Sequence, residues 1–318
     1  MNKVKKNIPN ILITIFNDKK IGLIIEKYYE YLKSKSLSEN TIRNYFYDLI
    51  EYFKFCRSNK ISPISSLNPT HHRSMISFII SKGIKRSSVI RKISAIRSFD
   101  NFLERFNYSK NNYSDLLSVT KKEKLLPNVM TIGEINSLIS AVRNSPKYIL
   151  RDEALIELIY SSGLRVSEAS KLTIGDINFD KSEIKIVGKG NKERIVILGK
   201  YASSILKKYL PDSRKTISLS SSPVFRNKFG KSLTPRSIQR MIKKYIQLSG
   251  LDSKFSTHSI RHSFATHMLD GGADLKVIQQ LLGHSSPETT KIYTHVSSAS
   301  MKEIYDKAHP RASKYLTK

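Results

Sequence analysis

Residues 257–296 read THSIRHSFATHMLDGGADLKVIQQLLGHSSPETTKIYTHV, and they constrain the chain more than any other stretch. His258 and Arg261 form a His-x-x-Arg; Leu282-Gly283-His284 follows; Tyr293 stands nine residues beyond that histidine. Upstream lies Gly163-Leu164-Arg165-Val166-Ser167-Glu168, and between the two stretches lies Gly188-Lys189-Gly190. Two arginines, one lysine, two histidines and a tyrosine suit one task. They can hold a phosphodiester, neutralise its developing charge and attack it with a phenol. A fold that uses them together must gather residues far apart in sequence.

A phosphodiester repels nucleophiles with its own charge, and arginine clamps it best because its planar fork is always charged. Positioning and neutralisation of the equatorial oxygens carry most of phosphoryl transfer, and Arg165 and Arg261 fit that work. Tyrosine can serve as a covalent nucleophile, splitting one hard step into two. Its ordinary pKa is about 10, so it needs a base or a strong positive field; His258, His284 and the arginines can supply both. Lys189, on a flexible hairpin, can protonate the leaving alkoxide. The arginine pair removes the need for a metal, and no cofactor is expected.

Each residue also has a plainer reading. Arg165 and Glu168, three apart on a helix, can simply pair at the surface. Lys189 can be a solvated turn residue, His258 a helix cap, and His284 a satisfied core histidine. His262 and His267 fit that core role better. The ordered set weighs against these readings taken one at a time.

Length and charge bound the rest. A chain of 318 residues suggests about two domains. The formal net charge is +29, from 55 Lys and Arg against 26 Asp and Glu, which points to a polyanionic partner. The charge is also clustered: no acid lies between Glu51 and Asp100, or between Asp212 and Asp252. The single cysteine, Cys56, excludes an internal disulfide framework and suits a reducing compartment. The apolar run Ile11 to Phe16 is too short for a signal peptide or a membrane span. These features predict a soluble, cytoplasmic protein.

Apolar residues recur at helical spacing from Ile21 to Arg57, with a helix start at Ser38-Glu39-Asn40-Thr41 between two helices. A third helix runs from Asn68-Pro69-Thr70 to Ser81, and a fourth from Ser87 to Phe106. Residues of about 112–128 read as a linker. Thr131 to Glu134 opens a new helix with a capping-box pattern. The period then changes: Ile184 to Val187, a Gly-Lys-Gly-Asn turn and Arg194 to Ile197 read as a hairpin. Helices return at Pro235–Ser249, Ser259–Asp270, Leu275–Leu282 and Pro287–Thr294. The expectation is a mainly α protein in two parts, the second with a small antiparallel β-sheet.

With those residues in view, the chain resembles the tyrosine recombinases of the phage-integrase type, and among them the Xer recombinases. The resemblance runs from about Ile21 to Ala312. Arg165, Lys189, His258, Arg261, His284 and the nucleophile Tyr293 match the family's catalytic positions, and Glu168 its supporting acid. Thr257 and Ile197 stand where the family often has proline. Residues 1–18 read as a basic lead, and the resemblance implies a SAM-like, all-helical core DNA-binding domain over 19–112. It implies a linker over 113–129 and a catalytic domain over 130–318 ending in a helix that docks on a neighbouring protomer. It further implies double-stranded DNA with a short, roughly palindromic site, a homo- or hetero-tetramer with a second Xer paralogue as one form, and a DNA translocase of the FtsK type as activator. Lys82, Lys85, Arg86, Arg91, Lys92, Arg97, Arg236 and Arg240 are the expected DNA contacts. A mobile-element integrase, a type IB topoisomerase and a non-catalytic basic DNA-binding protein remain the alternatives.

Overall fold

A computed structural model describes residues 18–35, 37–64, 68–109, 128–145, 149–188, 193–213, 220–283 and 298–312. The basic lead, most of the linker, the hairpin turn and the helix expected at Pro287–Thr294 lie outside the described residues. The chain divides into two compact units, Met1–Lys124 and Leu125–Lys318.

The described part of the first unit is helical: α1 (Lys19–Ser34), α2 (Glu39–Ser58), α3 (Pro69–Ser81) and α4 (Arg86–Arg105). Side-chain caps fix three of the starts. Asp18 accepts from the backbone N–H groups of Lys20 and Ile21, Ser38 from Thr41, and Asn68 from His71 with Pro69 in the first turn. The apolar faces bury an aromatic core in which Tyr28 meets Phe99 edge-on at 5.1 Å and Phe102 at 5.1 Å. Cys56 is buried there, as its aromatic surroundings predict. A buried His72–Asp100 pair at 2.9 Å ties α3 to α4.

The second unit is mostly helical around a three-stranded antiparallel sheet. It contains α5 (Ile132–Arg143), α6 (Ile149–Ser162), α7 (Val166–Lys171), β1 (Ile177–Asn178), β2 (Glu183–Val187) and β3 (Glu193–Ile197). It continues with α8 (Lys200–Ser213), α9 (Pro235–Leu248), α10 (Thr257–Asp270), α11 (Leu275–Leu282) and α12 (Ser298–Ala308). The expected capping box is present, with Thr131 and Glu134 each bonded to the other's backbone. The expected hairpin pairs Ile184 with Val196 and Ile186 with Arg194. Helix α6 carries no amphipathic signal because it is buried on every side, packed by α5, α8 and α10, and even its Asp152, Glu153 and Glu157 are covered.

The C-terminal helix packs on the second unit. The apolar face of α12 is covered within this chain: Tyr305, Ala308 and Ala312 join Phe264, Met268, Val277, Ile278, Leu281 and Leu282 in one cluster. Glycines make the room. A Cβ at Gly199 would stand 2.5 Å from the Tyr305 hydroxyl, and Gly271 lies against the backbone of Ala308. No helix among the described residues is long and apolar enough to cross a membrane.

Candidate active site

The Gly163 turn, α7, β3, and the facing ends of α10 and α11 meet at one carboxylate. Gly163 takes φ +59, and a Cβ there would stand 2.5 Å from Phe264 and 2.9 Å from Leu282. Glycine therefore lets the turn bring Arg165 to the start of α7 while packing on α10 and α11. Glu168 folds back to accept the Arg165 backbone N–H at 2.7 Å and its Nη1 at 3.0 Å. The two residues do pair three apart on a short helix, but the pair is not an isolated surface contact. Arg194, from β3, lays both Nη1 and Nη2 on Glu168 at 2.9 Å each. Arg261 Nη1 stands 3.8 Å from the same carboxylate.

Three guanidiniums thus share one carboxylate, so among the described residues two of their positive charges have no carboxylate of their own. Burial pushes the Glu168 carboxyl upward, but hydrogen bonds from Arg194 and the Arg165 backbone outweigh it and hold the group below its ordinary range. Arg261 is the covered member. Its Nη1 donates to the Gly163 carbonyl and its Nη2 to the Leu282 carbonyl at 2.6 Å. Burial, together with the charges of Arg165 and Arg194, brings its pKa down to about 10. Arg165 is the open member, with its side chain 39% exposed and its Nη2 3.4 Å from the Gly283 carbonyl. An anion placed there would meet donors already oriented by backbone carbonyls and by Glu168.

Histidine roles divide by burial. His258 is exposed on the first turn of α10, one turn before Arg261. His262, expected in the core, is exposed instead; its pKa is lowered by partial burial and by the charges of His258 and Arg261. His267 is the structural histidine expected, buried and bonded to the Tyr160 hydroxyl at 2.8 Å. Lys189, His284 and Tyr293 lie outside the described residues. Gly283, just before His284, closes α11 at φ +64. Among the described residues no group of three His, Cys, Asp or Glu could hold a metal.

The expected DNA contacts are not equivalent. On the first unit, Lys82 pairs with Glu51, Arg91 with Asp48, and Lys92 with both Asp48 and Glu51. The acid-free stretch in sequence is therefore answered in space by α2. Lys85 is exposed at the start of α4, Arg86 is half-buried beside it, and Arg97 lines a cleft with Tyr31, Lys35 and Arg105. On the second unit, Arg236 and Arg240 are exposed along α9 with Lys243 and Lys244, while Ile238, Ile242, Tyr245 and Ile246 face the core.

Arg194 is the site residue that sequence reasoning missed. It reads as one polar member of a strand, and no spacing rule links it to Glu168. Only the fold shows the link: Gly283 lacks the Cβ that would stand 2.9 Å from the Arg194 Cδ.

Known proteins share this architecture. The phage integrase family profile matches residues 128–300, and the profile of its N-terminal SAM-like domain matches residues 25–107. The chain belongs to the phage integrase family of tyrosine recombinases, enzymes that transfer DNA strands. Within it, the chain falls among the Xer recombinases. It is 40% identical to the tyrosine recombinase XerC of Natranaerobius thermophilus, over 89% of this chain and 97% of that one. It is 37% identical to the tyrosine recombinase XerD of Staphylococcus epidermidis, over 92% of this chain and 100% of the relative. Among solved structures, the XerH site-specific recombinase bound to its palindromic difH substrate, a post-cleavage complex, matches with a TM-score of 0.64 and 26% identity, over 82% of this chain and 78% of that chain.

Proposed function

We propose that the chain is a site-specific recombinase that cuts and rejoins DNA through a 3′-phosphotyrosine. The observation that carries this reading is the three-arginine cluster on Glu168, with no second carboxylate paired to it among the described residues and Arg165 open to solvent. Arg165 and Arg261 hold the scissile phosphate. Tyr293 Oη attacks phosphorus, giving its proton to His258 or His284, and the bond to the 5′-oxygen breaks. Lys189 protonates that oxygen, leaving a 5′-hydroxyl. The hydroxyl of a partner duplex then attacks the phosphotyrosine and frees Tyr293. The ester is exchanged rather than hydrolysed, so rejoining needs no nucleotide.

Two protomers on a short, roughly palindromic site, paired into a tetramer, would pass through a Holliday junction. The role we assign is resolution of chromosome or plasmid dimers rather than mobile-element integration, with a second paralogue and a translocase as partners; the likeness to tyrosine recombinases XerC and XerD supports the Xer assignment on which it rests. The test is a nicked suicide duplex, from which the short fragment bearing the freed 5′-hydroxyl diffuses away. Wild type should accumulate a denaturant-stable protein–DNA complex; Tyr293→Phe should bind the duplex yet form none. A covalent complex of equal yield in the Phe variant would defeat the assignment.

A further inference from the structure

Arg194 joins three parts of the site and has no role in the reading above. Its two terminal nitrogens grip both oxygens of Glu168, and its Nε donates to the Leu281 carbonyl at 3.1 Å. Its chain fills the space left by Gly283. It springs from β3, the strand that follows the segment holding Lys189, and is only 13% exposed. One side chain thus links the hairpin, the carboxylate that orients Arg165, and the end of the helix that leads to His284.

We propose that Arg194 is a positioning residue for strand cleavage, acting through Glu168 on Arg165. This rests on the recombinase reading above. The physical reason is a competition for one carboxylate. Glu168 is buried beside three guanidiniums. With Arg194 taking both its oxygens from the side of the sheet, Glu168 still fixes the backbone and Nη1 of Arg165, yet leaves that guanidinium exposed. Without Arg194, the buried carboxylate lacks its bidentate partner, and its need for neutralisation falls on Arg165 and Arg261. Those are the two groups meant to face the phosphate. A guanidinium drawn inward by about an ångström costs on the order of 10²-fold in rate, with little loss of binding.

The test is a double-mutant cycle in the full-length protein, read as single-turnover cleavage of the nicked duplex. Arg194→Met should cleave about 10²-fold more slowly, with DNA affinity within about threefold of wild type and an unchanged salt slope. Arg194→Lys keeps the charge but not the fork, so it should stay at least about tenfold down. Arg194→Met strands a buried carboxylate, so its melting temperature will fall. The pair Arg194→Met with Glu168→Gln removes both charges and keeps the protein measurable. If Arg194 works through Glu168, this pair should cleave no more slowly than the slower single variant. Additive losses, or a salt slope lowered by about 0.9, would mean that Arg194 acts independently or holds a phosphate itself, and would overturn the role. A wild type that forms no covalent complex would overturn the recombinase reading and this role with it. A wild type that cleaves while the cycle is additive overturns only the role of Arg194.

Discussion

At the scale of single residues, the site is a contest for hydrogen-bond acceptors. Arg261 donates to the carbonyls of Gly163 and Leu282, which makes it a joint between the Gly163 turn and the end of α11 as well as a charge. Lysine cannot reach both carbonyls at once. Arg261→Lys should therefore lose cleavage by at least about 10²-fold and also lose stability. Cleavage within a few-fold of wild type would show that charge alone suffices. The meeting of Arg165, Glu168 and Arg261 was legible in sequence, because a phosphate needs arginine forks and a guanidinium needs a carboxylate to hold it. The histidines were only partly legible. His267 sits where its spacing suggested, against Tyr160, whereas His262 is exposed because α10 presents that position to solvent beside His258. Arg194 was illegible because its duty is to another protein group rather than to substrate, and nothing in a strand pattern reports that.

At the scale of elements, the two basic helices differ in what surrounds them. The cations of α4 face Asp48 and Glu51 across the α2 interface, while the outer side of α9 carries Arg236, Arg240, Lys243 and Lys244 with no carboxylate among the described residues in ion-pair reach. Phosphates must displace acids at α4 but not at α9. Reversing charge at Arg236 and Arg240 should lower the salt slope of DNA binding by about 0.9 for each lost contact, more than reversal at Arg91 and Lys92 does. Equal changes at the two helices would mean that the α2 acids swing away on binding. This distinction was hidden in the sequence, where 51 and 100 bracket an acid-free run; only the pairing of α2 with α4 brings the acids back. The same limit applied to α6, whose all-round burial erased its period, while the hairpin and the capped helices declared themselves through local chemistry.

At the scale of the whole molecule, the C-terminal helix is packed into the core of the second unit. Tyr305 is fully buried, stacked on His309 at 4.9 Å, and Arg311 reaches Glu157 at 3.4 Å. Neither Glu157 oxygen has a hydrogen-bond partner among the described residues. Truncation after Ser298 should therefore do more than uncouple protomers. It uncovers the Phe264 and Leu282 cluster, and loss of Tyr305 alone forfeits on the order of 3–5 kcal/mol, a fall of roughly 10 °C in calorimetry. An unchanged melting temperature would contradict this packing.

The seat of that helix is also sensitive to pH. Burial lifts Glu157 from 4.5 to about 7, against the pull of Arg311 and Arg143. Between those values the folded protein keeps a proton that the unfolded chain has lost. The stability from this group is full below about 4.5 and is lost as pH rises through about 7. Glutamine cannot titrate, so stability relative to Glu157→Gln should fall across that window by about 3 kcal/mol. A difference that stays flat with pH would place the carboxyl in contact with water.

The central claim is that this chain breaks DNA with its own Tyr293, on a phosphate held by arginines gathered around Glu168. Peptide mapping of the covalent complex tests it most directly. After nuclease and protease digestion of the product from the nicked duplex, the remaining nucleotide should be found on Tyr293, joined through a 3′-phosphate. A nucleotide on another tyrosine, or joined through a 5′-phosphate, would contradict the account.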